Sequence, residues 1–433
     1  MNSESLYAVF LEHPWISTDT RQIKEGSLFF ALRGDHYDGN AFATKALALG
    51  AAYAIVSDPS LKGPRFIQVP DTLLALQQLA REHRRHCSIP VIAITGSNGK
   101  TTTKELLSAV LSRKFKTHAT QGNLNNHIGV PLTLLQVQFQ TEILICEMGA
   151  NHVGEIATLC SIADPTHGLI TNIGKAHLEG FGSLEGVKKA KGELFDYLAA
   201  HRGFAFVNAD DPALVEISQS ISQKTSYGLK DDSFPDIHFQ YTPDNHQGGF
   251  VLKDRQSDYN IHSSLFGFYN ASNILAAYSV GKYFGVEEVL IADSLSSFVS
   301  GANRSEKVKW KECTIIKDAY NANPSSMELA VHAFADQYPE GWVILGDMKE
   351  LGSATEEAHH QMIKTVLGKK FKRIYFVGNA FRHAYFQMQV ADERVVVNNT
   401  IEELIHDWKW DSCKEQYLLL KGSRSMHLEK LLE

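Results

Sequence analysis

At 433 residues the chain is too long for one hydrophobic core, so roughly two to four domains are expected. A hydrophobic content of 44% with 21% charged residues is that of an ordinary globular protein. A net charge of −7 speaks against a general binder of nucleic acid and for steering by local basic spots.

The opening "MNSESLYAVFLEHPW" has no basic n-region, and its apolar run is too short for a signal peptide. No apolar run approaches the length of a bilayer span, so a cytoplasmic protein is expected. Cys87, Cys146, Cys160, Cys313 and Cys413 are scattered without a C-x-x-C pair, the pattern of free thiols rather than of a disulfide or zinc framework.

Residues 1–86 alternate short apolar runs ("SLFFAL", "AAYAIV", "RFIQV") with helical stretches such as "DTLLALQQLAREHRRH", which predicts a small α/β unit. Residues 87–305 open with "VIAIT", a β-branched run of the kind found in buried parallel strands. "TEILICEMGA" and "HGLITNIG" follow with helical patterns between them, which predicts βαβ units in a doubly wound sheet. Residues 306–433 repeat the alternation with "WVILGDM", "RIYFVG" and "YLLLKGS", a further open α/β domain.

Between "VIAIT" and the helical "TTTKELLSAVLSRKF" lies "GSNGK", a strand–loop–helix context that suits a phosphate cradle. The usual G-x-x-x-x-G-K-[ST] pattern wants a glycine where Ile94 stands. Gly96 and Gly99 would let backbone N–H groups turn toward an anion at a helix N-terminus. Lys100 would reach the outer phosphates, and Thr101 would offer its hydroxyl to Mg²⁺. Glu147 falls at a strand end, where open α/β sheets hold their ligands and a carboxylate suits magnesium.

His177 also follows a strand end; a lone loop histidine serves structure as readily as catalysis. Val187, Lys191, Leu194, Phe195 and Leu198 recur at helical spacing, so Lys191 shares the apolar stripe while Lys188 and Lys189 lie off it. An inward lysine has a lowered pKa and a reactive neutral amine; the alternative is a snorkelling lysine at the stripe's edge. "TQGNLNNHIGVP" and "DAYNANPSS" read as loops, and their density of asparagine exceeds what turn formation alone requires.

Taken together these motifs resemble the Mur ligase family, the ATP-dependent amide-bond ligases of peptidoglycan precursor synthesis. Thr95–Thr102 is similar to the family's T-G-[ST]-N-G-K-[ST]-T, which lacks the first glycine, and "GNLNNHIGVP" is similar to its G-N-x-N-x-x-x-G-x-P. "EMGANHVGEI", "DAYNANPSSM", "LGDMKELG" and "LKGSRSMHLE" resemble the branch that adds D-alanyl-D-alanine. The resemblance implies three domains: a UDP-MurNAc-peptide-binding unit (1–86), a central P-loop parallel-sheet domain (87–305) and a Rossmann-like ligase domain (306–433).

It also implies that Gly96, Ser97, Asn98, Gly99, Lys100, Thr101 and Thr102 hold ATP, with Asn270 and Asn273 near the adenine. Arg304, Asp318, Asn321, Asn323 and Pro324 would lie by the nucleotide, with Lys421 and Arg424 in a third-domain loop. Thr101 and Glu147 would hold one Mg²⁺; His177 and an N6-carboxylated Lys191 would hold a second. Lys100, His177 and Lys191 are the implied catalytic set, and Ser27, Asp38 and Asn126 the substrate-binding candidates. Asn40 departs from the family, standing where a histidine is common. The implied reaction joins D-alanyl-D-alanine to UDP-N-acetylmuramoyl-tripeptide through an acyl phosphate, by a monomer with no nucleic-acid or membrane partner. The alternatives are another Mur ligase, a folylpolyglutamate-synthase-like amide ligase, or a nucleotide-binding protein without catalysis.

Overall fold

Val91–Thr95 is buried at every position, as a β-branched run covered on both faces should be. It pairs in parallel with Ile143–Glu147 on one side and His167–Ile170 on the other, which makes it a central strand. The computed structural model describes residues 3–34, 36–233, 235–244, 249–301, 303–410 and 414–433, so Cys413 lies outside the described residues. Cys87, Cys146 and Cys160 are free thiols.

Among the described residues, a sheet of nine strands forms around Val91–Thr95. From one edge it runs Thr117–Ala119, Ile143–Glu147, Val91–Thr95, His167–Ile170, Phe204–Asn208 and Gln223–Gly228, all parallel. Ile237–Asp244 adds in parallel, and Gly249–Asp254 and Ile261–Ser263 then extend the edge antiparallel. This hairpin extension departs from the purely βαβ pattern expected; a short alternating segment between helices leaves little trace in hydrophobic period.

Each face of the sheet is covered by helices. Lys100–Leu111, Ala271–Tyr283 and Glu288–Ser296 close one core with Ile92, Ile94 and Ile145. Gly129–Leu135, Glu155–Ala163 and Leu184–Ala200 close the other with Val91, Ala93 and Leu144. That second core also takes in Leu76 and Leu79 from the helix Thr72–His86, and Leu6 and Phe10 from Ser3–Glu12. Asp71 caps Thr72–His86 by accepting from Leu74 N–H. Near its far end the buried Arg84 donates to the carbonyls of Ala163 and Asp164, tying the N-terminal unit to the central one.

The N-terminal unit has a four-stranded parallel sheet in the order Ile16–Ser17, Leu28–Phe30, Tyr53–Val56, Phe66–Gln68. The third sheet has six strands, in the order Glu306–Trp310, Cys313–Asp318, Tyr417–Lys421, Trp342–Gly346, Arg373–Val377, Val395–Asn398. Its first strand is antiparallel and the rest parallel, with an apolar core on each face. Among the described residues no helix is long and apolar enough to cross a membrane.

Candidate active site

The loop after Val91–Thr95 is shaped by two glycines that no other residue could replace without strain. Gly96 has φ +137°, and a Cβ there would sit 2.9 Å from the backbone nitrogen of Thr171. Gly99 has φ +82° and caps the helix Lys100–Leu111. A second loop braces the first. Thr171 Oγ1 and Asn172 Nδ2 donate to Asn98 O (2.6 and 2.9 Å), and Gly174 N–H donates to Ser97 Oγ (2.9 Å). The N–H groups of the first helical turn have no partner within the helix, so the loop presents donors to an anion. Lys100 Nζ folds back to donate to Gly96 O (2.7 Å) and Ser97 O (3.3 Å). Desolvation lowers its pKa; Glu147 works against that fall and Arg304 adds to it.

Glu147 ends its strand 2% exposed. Its Oε1 accepts from Thr101 Oγ1 (3.2 Å) and Asn125 Nδ2 (2.8 Å). Its Oε2 is buried without a hydrogen-bond partner. A buried orphan carboxylate oxygen beside a threonine hydroxyl is the donor set a hard divalent cation takes, so these residues fit magnesium. Among the described residues no three His, Cys, Asp or Glu side chains gather as a self-contained metal cage. A cation here would therefore complete its shell with ligand oxygens, as magnesium does on phosphates.

Lys191 is 1% exposed, its helical stripe buried with it. Its Nζ donates to Ala150 O (3.1 Å) and lies 4.9 Å from the centroid of the Phe181 ring. Burial, with Lys100 nearby, pushes the amine down to about 7. His177 packs edge-on against the other part of this group, 6.4 Å from the same Phe181 ring. Its Nδ1 lies 2.5 Å from Glu350 Oε2 of the third sheet's unit, and that contact holds the Glu350 carboxyl below its usual range. Lys191 lies behind Ala150 rather than on the cavity wall.

The wall itself encloses about 430 Å³ and joins two domains. Ser97–Thr102, Asn126, Glu147, His177, Asn270 and Asn273 come from the central unit; Arg304, Asp318, Asn321 and Lys421 close it from the other side. Asn273 Oδ1 accepts from Thr103 Oγ1, and Asn273 Nδ2 donates to Asn270 Oδ1, so the pair braces the phosphate-loop helix. Arg304 lies over the Tyr320 ring at 3.7 Å, and Lys421 Nζ donates to Asp318 Oδ2 (2.5 Å). Asn323 caps the helix Pro324–Gln337 and also donates across the domain boundary to Asn98 Oδ1 (2.8 Å). Arg424 pairs with Glu429 away from this wall.

Asn126 accepts from the N–H groups of Ile128 and Gly129; it is its neighbour Asn125 that reaches Glu147. Asn125, Tyr320 and Glu350 were not singled out from the sequence, although each sits inside a motif that was. Ser27 lines a second cavity of about 1500 Å³ between the N-terminal and central units, with Trp15, Lys24 and His118. Its Oγ is buried without a partner. Asp38 lines neither cavity and accepts from Asn40 N–H and Nδ2. Asn40 is a bracket: its Oδ1 accepts from Ser57 and Asp58 N–H.

A glycine loop at a strand–helix junction, facing a buried strand-end carboxylate, defines a P-loop nucleotide-binding α/β protein. The particular family follows from comparison with known proteins. The Mur ligase middle domain matches residues 94–281, the Mur ligase glutamate ligase domain residues 303–424, and the Mur ligase family catalytic domain residues 15–84. The chain is 35% identical over 428 residues to UDP-N-acetylmuramoyl-tripeptide–D-alanyl-D-alanine ligase of Bacillus subtilis, spanning 96% of this chain and 92% of that one. A crystal structure of MurF from Acinetobacter baumannii superimposes with a TM-score of 0.86 at 32% identity, covering 96% of this chain and 92% of that one. MurF ligase from Thermotoga maritima in complex with ADP gives a TM-score of 0.83 at 26% identity, over 98% and 97% of the two chains. This chain belongs to the Mur ligase family.

Proposed function

We propose that this chain is an ATP-dependent ligase that joins D-alanyl-D-alanine to UDP-N-acetylmuramoyl-tripeptide. The products are UDP-N-acetylmuramoyl-pentapeptide, ADP and phosphate, in cytoplasmic peptidoglycan precursor synthesis by a monomer. The observation that carries the chemistry is the meeting, at one interdomain cavity, of a phosphate loop and the unpartnered Oε2 of Glu147. The substrates rest on the relatives of that name.

A carboxylate has no leaving group, so amide formation needs it phosphorylated first. An oxygen of the tripeptide's terminal carboxylate attacks the γ-phosphorus of ATP, and the bond from that phosphorus to ADP breaks. The amine of D-alanyl-D-alanine then attacks the carbonyl carbon of the acyl phosphate. The carbon–oxygen bond to phosphate breaks and the amine's proton is lost to solvent. Phosphoryl transfer of this kind is positioning plus charge neutralisation.

The loop N–H groups from Gly99 onward cradle the phosphates, and Lys100 exchanges Gly96 O for a phosphate oxygen. Thr101 and Glu147 would hold one magnesium, and His177 with an N6-carboxylated Lys191 would hold a second. When bound, these cations neutralise the β- and γ-phosphates and reduce their repulsion of the substrate carboxylate. Burial lowers the Lys191 amine to about 7, which makes its neutral form accessible near neutral pH. The neutral nitrogen adds CO₂, forming a C–N bond and losing a proton, which leaves an anion where the neutral amine stood. Arg304, stacked on Tyr320, and Asn270 with Asn273 position the nucleotide base and sugar. Residues 1–86 present the UDP-sugar, with Ser27 in the second cavity.

Phosphate release in the presence of ATP and UDP-N-acetylmuramoyl-tripeptide tests this reading with a panel of amines. D-alanyl-D-alanine should stimulate it. Stimulation by D-glutamate or by folate with glutamate, and not by D-alanyl-D-alanine, would replace the assignment.

A further inference from the structure

The His177–Glu350 contact spans two domains and is held from both sides. His177 and Glu350 both adopt left-handed backbone, at φ 51° and 63°, a conformation that costs a non-glycine residue energy and persists only where surroundings impose it. Glu179 N–H reaches Glu350 O across the boundary (3.4 Å), and Gly352, at φ +54°, packs on the Glu179 side chain.

The Glu350 loop is anchored within its own domain. Met348 N–H donates to Nε2 of the fully buried His359, whose Nδ1–H is spent on Thr355 O (2.6 Å). Lys349 N–H donates to Ser423 Oγ (3.0 Å), and Asp347 accepts from Ala380 and Phe381 N–H. A rigid third-domain loop therefore delivers one carboxylate to one imidazole nitrogen.

We infer that Glu350 is a positioning residue for His177: by accepting from Nδ1–H it fixes the tautomer in which Nε2 carries the lone pair. A histidine that ligates a metal needs its other nitrogen held in this way, and losing such a partner typically weakens metal binding about 10–100-fold. Because the carboxylate arrives on the C-terminal domain, docking of that domain and readiness of His177 to take a cation become one event. The inference rests on the proposed role of His177 as a magnesium ligand.

Mn²⁺ serves as the probe, titrated by electron paramagnetic resonance onto the full chain with a non-hydrolysable ATP analogue present. Variants Glu350→Ala, Glu350→Gln and His177→Asn are compared after thermal melting confirms folding. The ¹⁵N resonances of histidine-labelled, metal-free protein report the His177 tautomer, assigned by their loss in His177→Asn.

Wild type should show Nδ1–H. Glu350→Ala should mix the tautomers and weaken one Mn²⁺ site by about 10-fold or more. Glu350→Gln, whose amide oxygen still accepts, should fall between. If His177→Asn weakens Mn²⁺ binding but Glu350→Ala changes neither affinity nor tautomer, the positioning role is overturned and the ligand role stands. If His177→Asn leaves Mn²⁺ binding intact, the ligand role falls and takes the positioning role with it.

Discussion

Lys191→Met should stabilise the protein at neutral pH while abolishing its activity. The amine falls from 10.5 to about 7 because the folded chain removes it from water, and at 1% exposure nothing screens that cost. At about 1.36 kcal/mol per pKa unit the penalty is on the order of 5 kcal/mol at and below pH 7. Methionine keeps an unbranched side chain on the stripe and gives up the hydrogen bond to Ala150 O, which offsets about 1–3 kcal/mol. A net gain of about 2–4 kcal/mol is expected at pH 7.

The sign with pH follows from proton counting. Between about 7 and 10.5 the unfolded chain holds a proton on Lys191 that the folded chain lacks, so wild-type stability rises through this window. The variant lacks that rise, and its advantage shrinks toward pH 10. Differential scanning calorimetry at pH 7 and 9.5, in CO₂-depleted buffer, reads both effects; each kcal/mol moves a domain of this size by about 2–4 °C. A variant that melts lower than wild type at pH 7, or whose advantage does not change with pH, would refute the desolvation argument.

Gly99→Ala forces a Cβ to 2.6 Å from Asn273 Oδ1 at φ +82°, a strain of about 1–2 kcal/mol in the phosphate loop. An ATP-analogue titration should show affinity lowered about tenfold; unchanged affinity would mean that the loop does not hold phosphate as drawn. Glu147→Gln keeps an oxygen for Thr101 and Asn125 and removes the charge, so turnover should drop about 100-fold or more, with a higher magnesium requirement, in a steady-state assay. Asn323→Ala removes both a helix cap, about 1 kcal/mol, and the bridge to Asn98, whereas Asn323→Ser keeps the cap alone. A raised KM for ATP in both variants, with lowered melting only in the alanine form, separates the two roles.

The strand, glycine loop and helix around Gly96 and Gly99 were readable because hydrophobic period and glycine placement are local. So was Lys191, whose place on an apolar stripe follows from helical spacing and whose burial the structure provides. Asn125 and Asn126 were not separable: both stand in one loop, and only the turn geometry decides that Asn126 accepts from Gly129 N–H while Asn125 reaches Glu147. Asp38 and Ser27 lie in one segment of sequence yet only Ser27 reaches a cavity, because Asp38 is spent on its own turn through Asn40. The pairing of His177 with Glu350 joins positions in different domains, and no period or spacing encodes such a contact. Their left-handed backbone is equally silent in sequence, since neither is a glycine.

The most direct test of the whole account follows one oxygen. The tripeptide substrate, labelled with ¹⁸O in its terminal carboxylate, is incubated with ATP, magnesium and D-alanyl-D-alanine, and both products are weighed by mass spectrometry. UDP-N-acetylmuramoyl-pentapeptide and one ¹⁸O in each released phosphate are expected, because the carboxylate oxygen leaves on phosphorus. Pentapeptide with unlabelled phosphate, or ATP hydrolysis without pentapeptide, would contradict it.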